Sequence, residues 1–231
     1  MRAIAAIILI VLALAPAWAD EGGAASMTKD IHWLGHDTFK FTSGGKVIYT
    51  DPFRLKRDDS ADIILITHEH YDHCSPEDVA RIQKKNTVIV TVADCAAKLT
   101  GNIKIVRPGD ALTVEGIAIE AVPAYNIGKK FHPQANKWVG YIFTVGERRI
   151  YIAGDTDRIP EMKSIKCDVA MLPVGGTYTM TAEEAAEAAM DIKPKVAVPM
   201  HYGTLTGTPD DAKRFAALLK GKLDVAILPQ E

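Results

Sequence analysis

The sequence has little of several features that would narrow its class. Three cysteines in 231 residues are too few for a small scaffold built on disulfides. A formal net charge of −2 lacks the basic surplus that dedicated nucleic-acid-binding proteins usually carry. Apolar residues make up 48% of the chain, which excludes a disordered tail protein. These figures predict one globular domain with a conventional hydrophobic core and no nucleic-acid partner.

The longest apolar run is near the start of the chain and is too short to cross a bilayer. Residues 3–15 contain only Ala, Ile, Leu and Val and follow the basic Arg2, whereas a spanning helix needs about 20 residues. Pro16 and an A-x-A pattern at residues 17–19 come next, which is typical of a signal peptide cleaved after Ala19. We therefore expect residues 1–19 to be a signal peptide, with a membrane anchor as the alternative. The mature protein is expected in the periplasm or outside the cell, without a stable membrane anchor.

The few cysteines leave their pairing open. In an oxidising compartment Cys74, Cys95 and Cys167 allow either one bridge and one free thiol or three free thiols. The thiol of Cys74 could also ligate a metal, although a small buried filler is the favoured role. The oligomeric state is likewise left open by the sequence.

Hydrophobic patterning predicts a β-rich first part followed by strands that alternate with helices. Residues 20–30 are small and polar and are predicted to be a flexible lead-in to a domain at 31–231. Strands are predicted at 31–34, 38–42, 46–50, 63–66, 87–92, 103–106, 111–114, 117–122, 139–145, 149–153, 168–172, 196–199 and 223–228. Helices are predicted at 75–85, at 94–99, from 181 onward and at 210–220. This order predicts an α+β fold in which two sheets pack face to face with helices outside.

Three of the seven histidines lie within six residues, at His68, His70 and His73. The cluster follows a buried strand and also contains Asp72. Imidazole and carboxylate groups are the ligands of zinc and related ions, and a solvated loop rarely collects so many of them. His68 and His70 share one side of an extended segment, and a turn after His70 would present Asp72 and His73 to a second position. The pattern predicts two divalent ions about 3.5–4 Å apart.

The segment His68-x-His70-x-Asp72-His73 after an apolar strand resembles the signature loop of the metallo-β-lactamase superfamily. Residues 33–39, 50–53, 154–157 and 199–203 are similar to further motifs of its ascorbate-lactonase-like branch. The resemblance covers nearly the whole mature chain, and it implies a four-layer αββα sandwich with the metals at one edge between the sheets. It also implies metal ligands, namely His68 and His70 for the first ion, Asp72, His73 and His201 for the second, and Asp155 bridging them.

One position departs from the family pattern. Where related sequences tend to place a third histidine for the first ion, this chain has Asn126, whose side chain is a poor ligand for transition metals. His132 lies on the same loop and could reach back to the first ion, with a role in the substrate loop or at the surface as the alternative. The first position is therefore expected to be weaker, or to suit a metal other than zinc.

The residues and the resemblance together favour a metal-dependent hydrolase. Asp72 is the predicted catalytic residue, holding a reactive water and carrying its proton, and the ions are predicted to be zinc, with manganese as the alternative. The expected substrate is a small molecule with a lactone or phosphodiester bond. Lys129, Lys130 and Lys137 near the cleft could favour an anionic substrate, although a solvated basic loop is the favoured interpretation. The alternative function is a non-catalytic metal-binding or interaction module on the same fold.

Overall fold

Two mixed β-sheets form the centre of the molecule. The computed structural model describes residues 23–56 and 59–231, so the predicted signal peptide lies outside the described residues. The first sheet contains, in spatial order, β1 (Ile31–Gly35), β2 (Thr38–Ser43), β3 (Lys46–Thr50), β4 (Ala61–Leu65), β5 (Gln83–Thr91) and β6 (Asn102–Ile105). The second contains β7 (Ala111–Val114), β8 (Ile117–Pro123), β9 (Val139–Val145), β10 (Arg148–Ile152), β11 (Val169–Pro173), β12 (Val196–Met200) and β13 (Asp224–Val225).

The two sheets repeat one arrangement. In the first sheet β1, β2 and β3 pair antiparallel, and β3 to β6 continue in parallel. In the second sheet β7 to β10 pair antiparallel, and β10 to β13 continue in parallel. The carboxyl ends of parallel strands in both halves therefore reach the same kind of edge, where α/β proteins place their ligands.

The sheets pack face to face through aromatic side chains. Phe41 of β2 meets Phe143 of β9 edge to face, with ring centroids 5.0 Å apart. The buried hydroxyl of Tyr141 in β9 reaches the opposite sheet, 2.9 Å from the carbonyl oxygen of Ile66 and 3.1 Å from that of Val90. A buried hydroxyl needs a hydrogen-bond acceptor, so this contact fixes the two sheets next to the segment that carries the histidine cluster.

Five α-helices accompany the sheets in the described residues: α1 (Ala24–Thr28), α2 (Pro76–Ile82), α3 (Ala93–Ala96), α4 (Ala182–Ile192) and α5 (Pro209–Leu219). At the start of α2 the side chain of Ser75 accepts a hydrogen bond from the amide of Asp78, and Thr181 and Glu184 form a capping box on α4, as predicted. The αββα sandwich is therefore confirmed. None of the described helices has the length and apolar character needed to cross a membrane.

Several elements differ in extent from their predictions, among them α2, β13 and the lead-in. Helix α2 ends at Ile82 rather than near residue 85, because Gln83 adopts an extended conformation and begins β5. Strand β13 ends at Val225 rather than at residue 228. The chain then crosses to the other sheet, where the amide of Glu231 donates to the carbonyl of Trp33 over 3.0 Å. The lead-in, predicted to be flexible, contains the short helix α1.

An ionic contact joins the end of the lead-in to β10. The guanidinium group of Arg148 donates to the carbonyl of Met27 over 2.7 Å and to the carboxylate of Asp30 over 2.5 Å. Arg148 lies far along the sequence in β10, so the composition of residues 20–30 gave no sign of this partner.

Candidate metal centre

The predicted metal ligands meet at the carboxyl ends of parallel strands from both sheets. The histidine cluster follows β4, Asp155 follows β10 and His201 follows β12. The amides of His73 and Cys74 both donate to the carbonyl of His70, which forms the predicted turn. Six of the seven histidines belong to groups whose ligand atoms lie within 4.8 Å of one another: His36, His68, His70, His73, His132 and His201.

One group of ligand atoms contains three imidazoles. Nε2 of His68 lies 3.1 Å from Nδ1 of His70, and His132 joins them as the third donor. Nε2 of His132 also lies 3.1 Å from Oδ2 of Asp155. His132, for which the sequence left two roles open, thus lies beside His68 and His70, the histidines expected to hold the first ion.

A second group lies on the other side of Asp155. Oδ1 of Asp155 is 3.1 Å from Nε2 of His201 and 3.4 Å from Nε2 of His73. Oδ2 of Asp72 is 3.9 Å from Nε2 of His73. The two oxygens of Asp155 therefore face different groups, as a bridging carboxylate would. His36 joins this second group, with its Nε2 3.1 Å from Oδ2 of Asp72.

Several atoms at the centre are buried without a hydrogen bond of acceptable geometry among the described residues. They are Nε2 of His73, Nε2 of His132, Oδ1 of Asp155 and both ring nitrogens of His201. Buried polar atoms are nearly always satisfied in proteins, and here the unsatisfied atoms converge instead of scattering. Nitrogen and carboxylate donors in this arrangement fit divalent ions of the zinc type.

The electrostatics of the pocket also favour cations. Burial lowers the pKa of His68 well below its usual range, so its imidazole is neutral and free to bind a metal. Burial alone would lower the pKa of His73, but the charges of Asp155 and Asp51 outweigh it and hold the pKa well above the usual range. Burial would likewise raise the pKa of Asp155, yet His201 and His73 hold it well below the usual range. Carboxylates this strongly coupled to positive charge would stabilise a bound cation.

Asp51 organises the histidine loop from the end of β3. Its carboxylate accepts hydrogen bonds from the amide of Thr67 at 2.8 Å and from the hydroxyl of Thr67 at 2.7 Å. The same carboxylate lies 2.8 Å from Nδ1 of His73, which directs Nε2 of that ring toward the second group. Asp51 therefore acts as a hydrogen-bond acceptor for the histidine loop.

Asn126 plays a part that its poor ligand chemistry did not indicate. Its Oδ1 accepts a hydrogen bond from the amide of His132 and lies 3.0 Å from Nδ1 of that ring. Its Nδ2 donates to Asp157 and to the carbonyl of Tyr178, each over 3.0 Å. An acceptor at Nδ1 keeps the proton there and leaves Nε2 of His132 as the metal donor. Asn126 thus orients the ring of His132.

Three residues of the centre have a strained backbone conformation. His36, Asp51 and His201 have φ values of 52°, 38° and 59°, in the left-handed region that side chains other than glycine seldom adopt. Gly154, with φ of 63°, precedes Asp155, and a Cβ atom there would lie 3.0 Å from the Cβ of Thr67. Strain of this kind persists where the surrounding structure fixes it, and it is frequent at functional sites.

Asp37 belongs to the centre and was not predicted. Both of its carboxylate oxygens are buried without a hydrogen bond among the described residues, and burial raises its pKa to about 7. Its side chain is grouped with those of Asp155 and His201. The only sequence signal was its place directly after His36, in a motif noted for its family resemblance.

The cysteines and lysines lie outside the ligand groups. All three cysteines are free thiols, and Cys74 is buried without joining any group of metal donors in the described chain. The ammonium group of Lys129 binds the carboxylate of Asp157 over 2.6 Å and the carbonyl of Thr179 over 2.7 Å. Lys130 and Lys137 are exposed.

A cavity of about 350 Å³ opens above the centre. Asp72, Asp155 and His201 contribute to its lining. Its size is at the lower end of the range for small-molecule sites, about 300–1,000 Å³. The centre is therefore open to a small substrate.

Comparison with known proteins identifies the family. A family model for the β-lactamase superfamily domain matches residues 30–201. A UPF0173 metal-dependent hydrolase of Thermoplasma acidophilum is 35% identical over 217 residues, which are 87% of this chain and 95% of the relative. A second UPF0173 metal-dependent hydrolase, from Methanopyrus kandleri, is 33% identical over 222 residues, 86% of this chain and 96% of the relative.

Solved structures agree with the sequence relatives. The crystal structure of a candidate metal-dependent hydrolase from Parabacteroides distasonis is 38% identical, with a TM-score of 0.79 over 87% of this chain and 93% of that one. The metallo hydrolase Igni18 of Ignicoccus hospitalis is 26% identical, with a TM-score of 0.70 over 87% of this chain and 95% of that one. Together with the fold and the converging histidines and aspartates, these matches establish that the chain belongs to the metallo-β-lactamase superfamily of metal-dependent hydrolases.

Proposed function

We propose that this chain binds two divalent metal ions and hydrolyses an ester-type bond, either a lactone or a phosphodiester. The first ion would be held by His68, His70 and His132, together with Asp155, whose Oδ2 lies 3.1 Å from Nε2 of His132. The second would be held by Asp72, His73 and His201 together with Asp155. The observation that carries the proposal is the division of the two Asp155 oxygens between the two groups of histidines.

The chain's own residues suit this chemistry. Divalent ions, when bound, lower the pKa of water and polarise the oxygen of a carbonyl or phosphoryl group. The carboxylate of Asp72 lines the cavity and is more exposed than that of Asp155, at 16% against 4%. Burial would raise the pKa of Asp72, but the hydrogen bond with His36 and the charge of His73 together outweigh it and lower the pKa to about 2. The ionised carboxylate can accept a hydrogen bond from water, orient it and receive its proton.

His36 contacts the carboxylate of Asp72. Its Nε2 lies 3.1 Å from Oδ2 of Asp72 and donates there, because an ionised carboxylate only accepts. Burial lowers the pKa of His36 to about 4 and keeps its ring neutral. The left-handed backbone at His36 turns the ring toward the centre. We assign His36 as a residue that positions Asp72.

The non-catalytic alternative rested on the missing third histidine. The structure brings His132 to the two first-site histidines, and it leaves an open cavity over the centre. Both features favour catalysis over a purely binding role.

The test is metal analysis combined with a substrate panel. We expect the mature chain, loaded with zinc or with manganese, to hold two ions and to hydrolyse a lactone or a phosphodiester. The variant carrying His68→Ala and His73→Ala should lose both ions and the activity. His32→Ala is the matched control, because His32 is the one histidine outside the ligand groups and instead contacts Glu231. Retention of two ions by the double variant would end the proposal.

The zinc preference and the export of the protein belong to this proposal as well. Imidazole-rich positions favour zinc over harder ions, so zinc should support more activity than magnesium at equal occupancy. Secretion is tested by expressing the full chain and measuring the N-terminus of the product by mass spectrometry. Cleavage after Ala19 supports the signal peptide, and an intact N-terminus in the cytoplasm contradicts it.

A further inference from the structure

Four loops each place one apolar side chain at the entrance of the cavity above the metal centre. Tyr71 comes from the loop after β4, Phe131 from the loop after β8, Tyr178 from the loop after β11 and Leu205 from the loop after β12. All four line the cavity and remain exposed to solvent. We refer to these four residues as the apolar mouth.

The apolar mouth is unusual for the surface of this protein. Only eight large hydrophobic side chains are exposed in the described chain, and four of them meet at this one opening. Single exposed apolar residues are common, whereas a cluster of them at a concave site marks a place for binding. The rings of Phe131 and Tyr178 also contact each other edge to face, with centroids 4.7 Å apart. Two of the loops therefore present a joined aromatic surface.

The basic side chains in the cavity walls are imidazoles of the candidate metal ligands, His70, His132 and His201. Among the described residues neither lysine nor arginine contributes to the lining, and the nearby Lys129 binds Asp157. The carboxylates of Asp72 and Asp155 do contribute. Apart from the candidate metal ligands and the ions they would hold, the described lining thus offers no cationic group to a substrate anion, while an apolar group would be removed from water.

We propose that the apolar mouth binds an alkyl or aryl group of an uncharged carboxylic ester or lactone. The chain would then select neutral, apolar esters over anionic phosphodiesters. This inference rests on the proposed hydrolase function and narrows its substrate class. The moderate cavity volume of about 350 Å³ limits the substrate to a small molecule.

A homologous series of lactones tests the substrate class. The probes are γ-butyrolactone, its ethyl-substituted and butyl-substituted derivatives, and bis(4-nitrophenyl) phosphate as the anionic ester. We expect kcat/KM to rise about fourfold for each methylene that the mouth buries, and the butyl lactone to exceed the phosphodiester. Equal kcat/KM along the series, or preference for the phosphodiester, would overturn the inference while leaving the hydrolase function intact.

A matched pair of variants tests the location. Leu205→Ser alters the mouth, and Ile227→Ser alters an apolar side chain of similar exposure outside the cavity, 44% against 38%. We expect Leu205→Ser to reduce kcat/KM for the butyl lactone about tenfold more than for the unsubstituted lactone, with two ions still bound. Ile227→Ser should keep the wild-type ratio. Equal losses on both lactones in Leu205→Ser would contradict the assignment.

Calorimetry separates the two proposals if they fail. If the protein with two bound ions hydrolyses no probe at all, the hydrolase proposal fails. Binding of the butyl lactone, measured by titration calorimetry, then decides the inference on its own. Binding that is weakened by Leu205→Ser and not by Ile227→Ser supports the mouth as an apolar site, and absent or unaffected binding overturns it.

Discussion

The two groups of metal donors differ in what stands behind them. In the first group the imidazole rings are supported by neutral partners, the hydroxyl of Thr67 next to His68 and the amide of Asn126 next to His132. In the second group the ring of His73 is supported by the carboxylate of Asp51. Asp72, a member of this group, adds a further negative charge to it. Asp155 is the charge that both groups share.

From this difference we infer that the relative metal affinity of the two positions depends on the residues that contact the ligands as well as on the ligands themselves. Carboxylate partners raise the basicity of a histidine and add attraction for a cation. We therefore expect the second position to bind its ion more tightly, and the first position to be the one that empties on dilution. A weaker first position thus stays a prediction, now argued from the residues behind the ligands and not from a missing histidine.

The largest effect is expected from Asp155→Ala, which removes the carboxylate that the two groups of donors share. Both positions should weaken by more than the ~100-fold that loss of a supporting residue can cause. Metal content after gel filtration should fall below one ion per chain, and activity should be lost. Asp224→Ala, which removes an exposed carboxylate from β13, is the control. Two retained ions in Asp155→Ala would refute the bridging role.

Separate histidine variants should split the two positions. His132→Ala should lose the first ion and keep the second, whereas His73→Ala should lose the second and weaken the loop that carries the first. Equilibrium dialysis against zinc measures both stoichiometries, with His32→Ala as the control. If both variants kept two ions, the assignment of the two groups would be wrong.

A smaller effect is expected at the residue that orients His132. Asn126→Ala removes the acceptor at Nδ1 and should lower zinc affinity at the first position about 10–100-fold, with little change at the second. Asn136→Ala, an exposed residue on the same loop, should leave both affinities unchanged. An equal loss at both positions would mean that Asn126 supports the fold in general.

The smallest change should appear in thermal stability. Ions that bind the folded chain stabilise it by about 2.7 kcal/mol per site at a free concentration 100 times Kd. For a chain of this size, chelation of one such ion with EDTA should lower Tm by about 5–10 °C. Titrating zinc back should restore Tm in two steps if the positions differ in affinity. A single step would indicate equal positions.

Much of the fold could be predicted from local signals. Turn residues and alternating apolar residues placed the hairpin strands of both sheets, and the caps at Ser75 and Thr181 marked the starts of α2 and α4. The elements whose structure differs from the prediction contact residues that are distant in sequence. The lead-in is held by Arg148, and the last strand ends early because the chain leaves for the other sheet.

In the candidate site, too, some residues could be recognised from local signals and others only from distant contacts. The histidine loop could be recognised because its donors are adjacent in sequence, and Asp155 and His201 because they follow strands in motifs that resemble those of the family. Asp37 and the role of Asn126 could not be recognised from spacing. Their roles depend on tertiary contacts: Asp37 lies near His201, and Asn126 contacts His132.

The sequence by itself determined which donors this protein has and which strands carry them, because periodicity, caps and the clustered histidines are local properties of the chain. Tertiary structure alone decided which candidate donors lie together and that His132, oriented by Asn126, lies beside His68 and His70. It also decided that four apolar side chains meet at one opening. These features depend on loops from both sheets that converge at one edge, and their distances are set by packing and not by the order of residues.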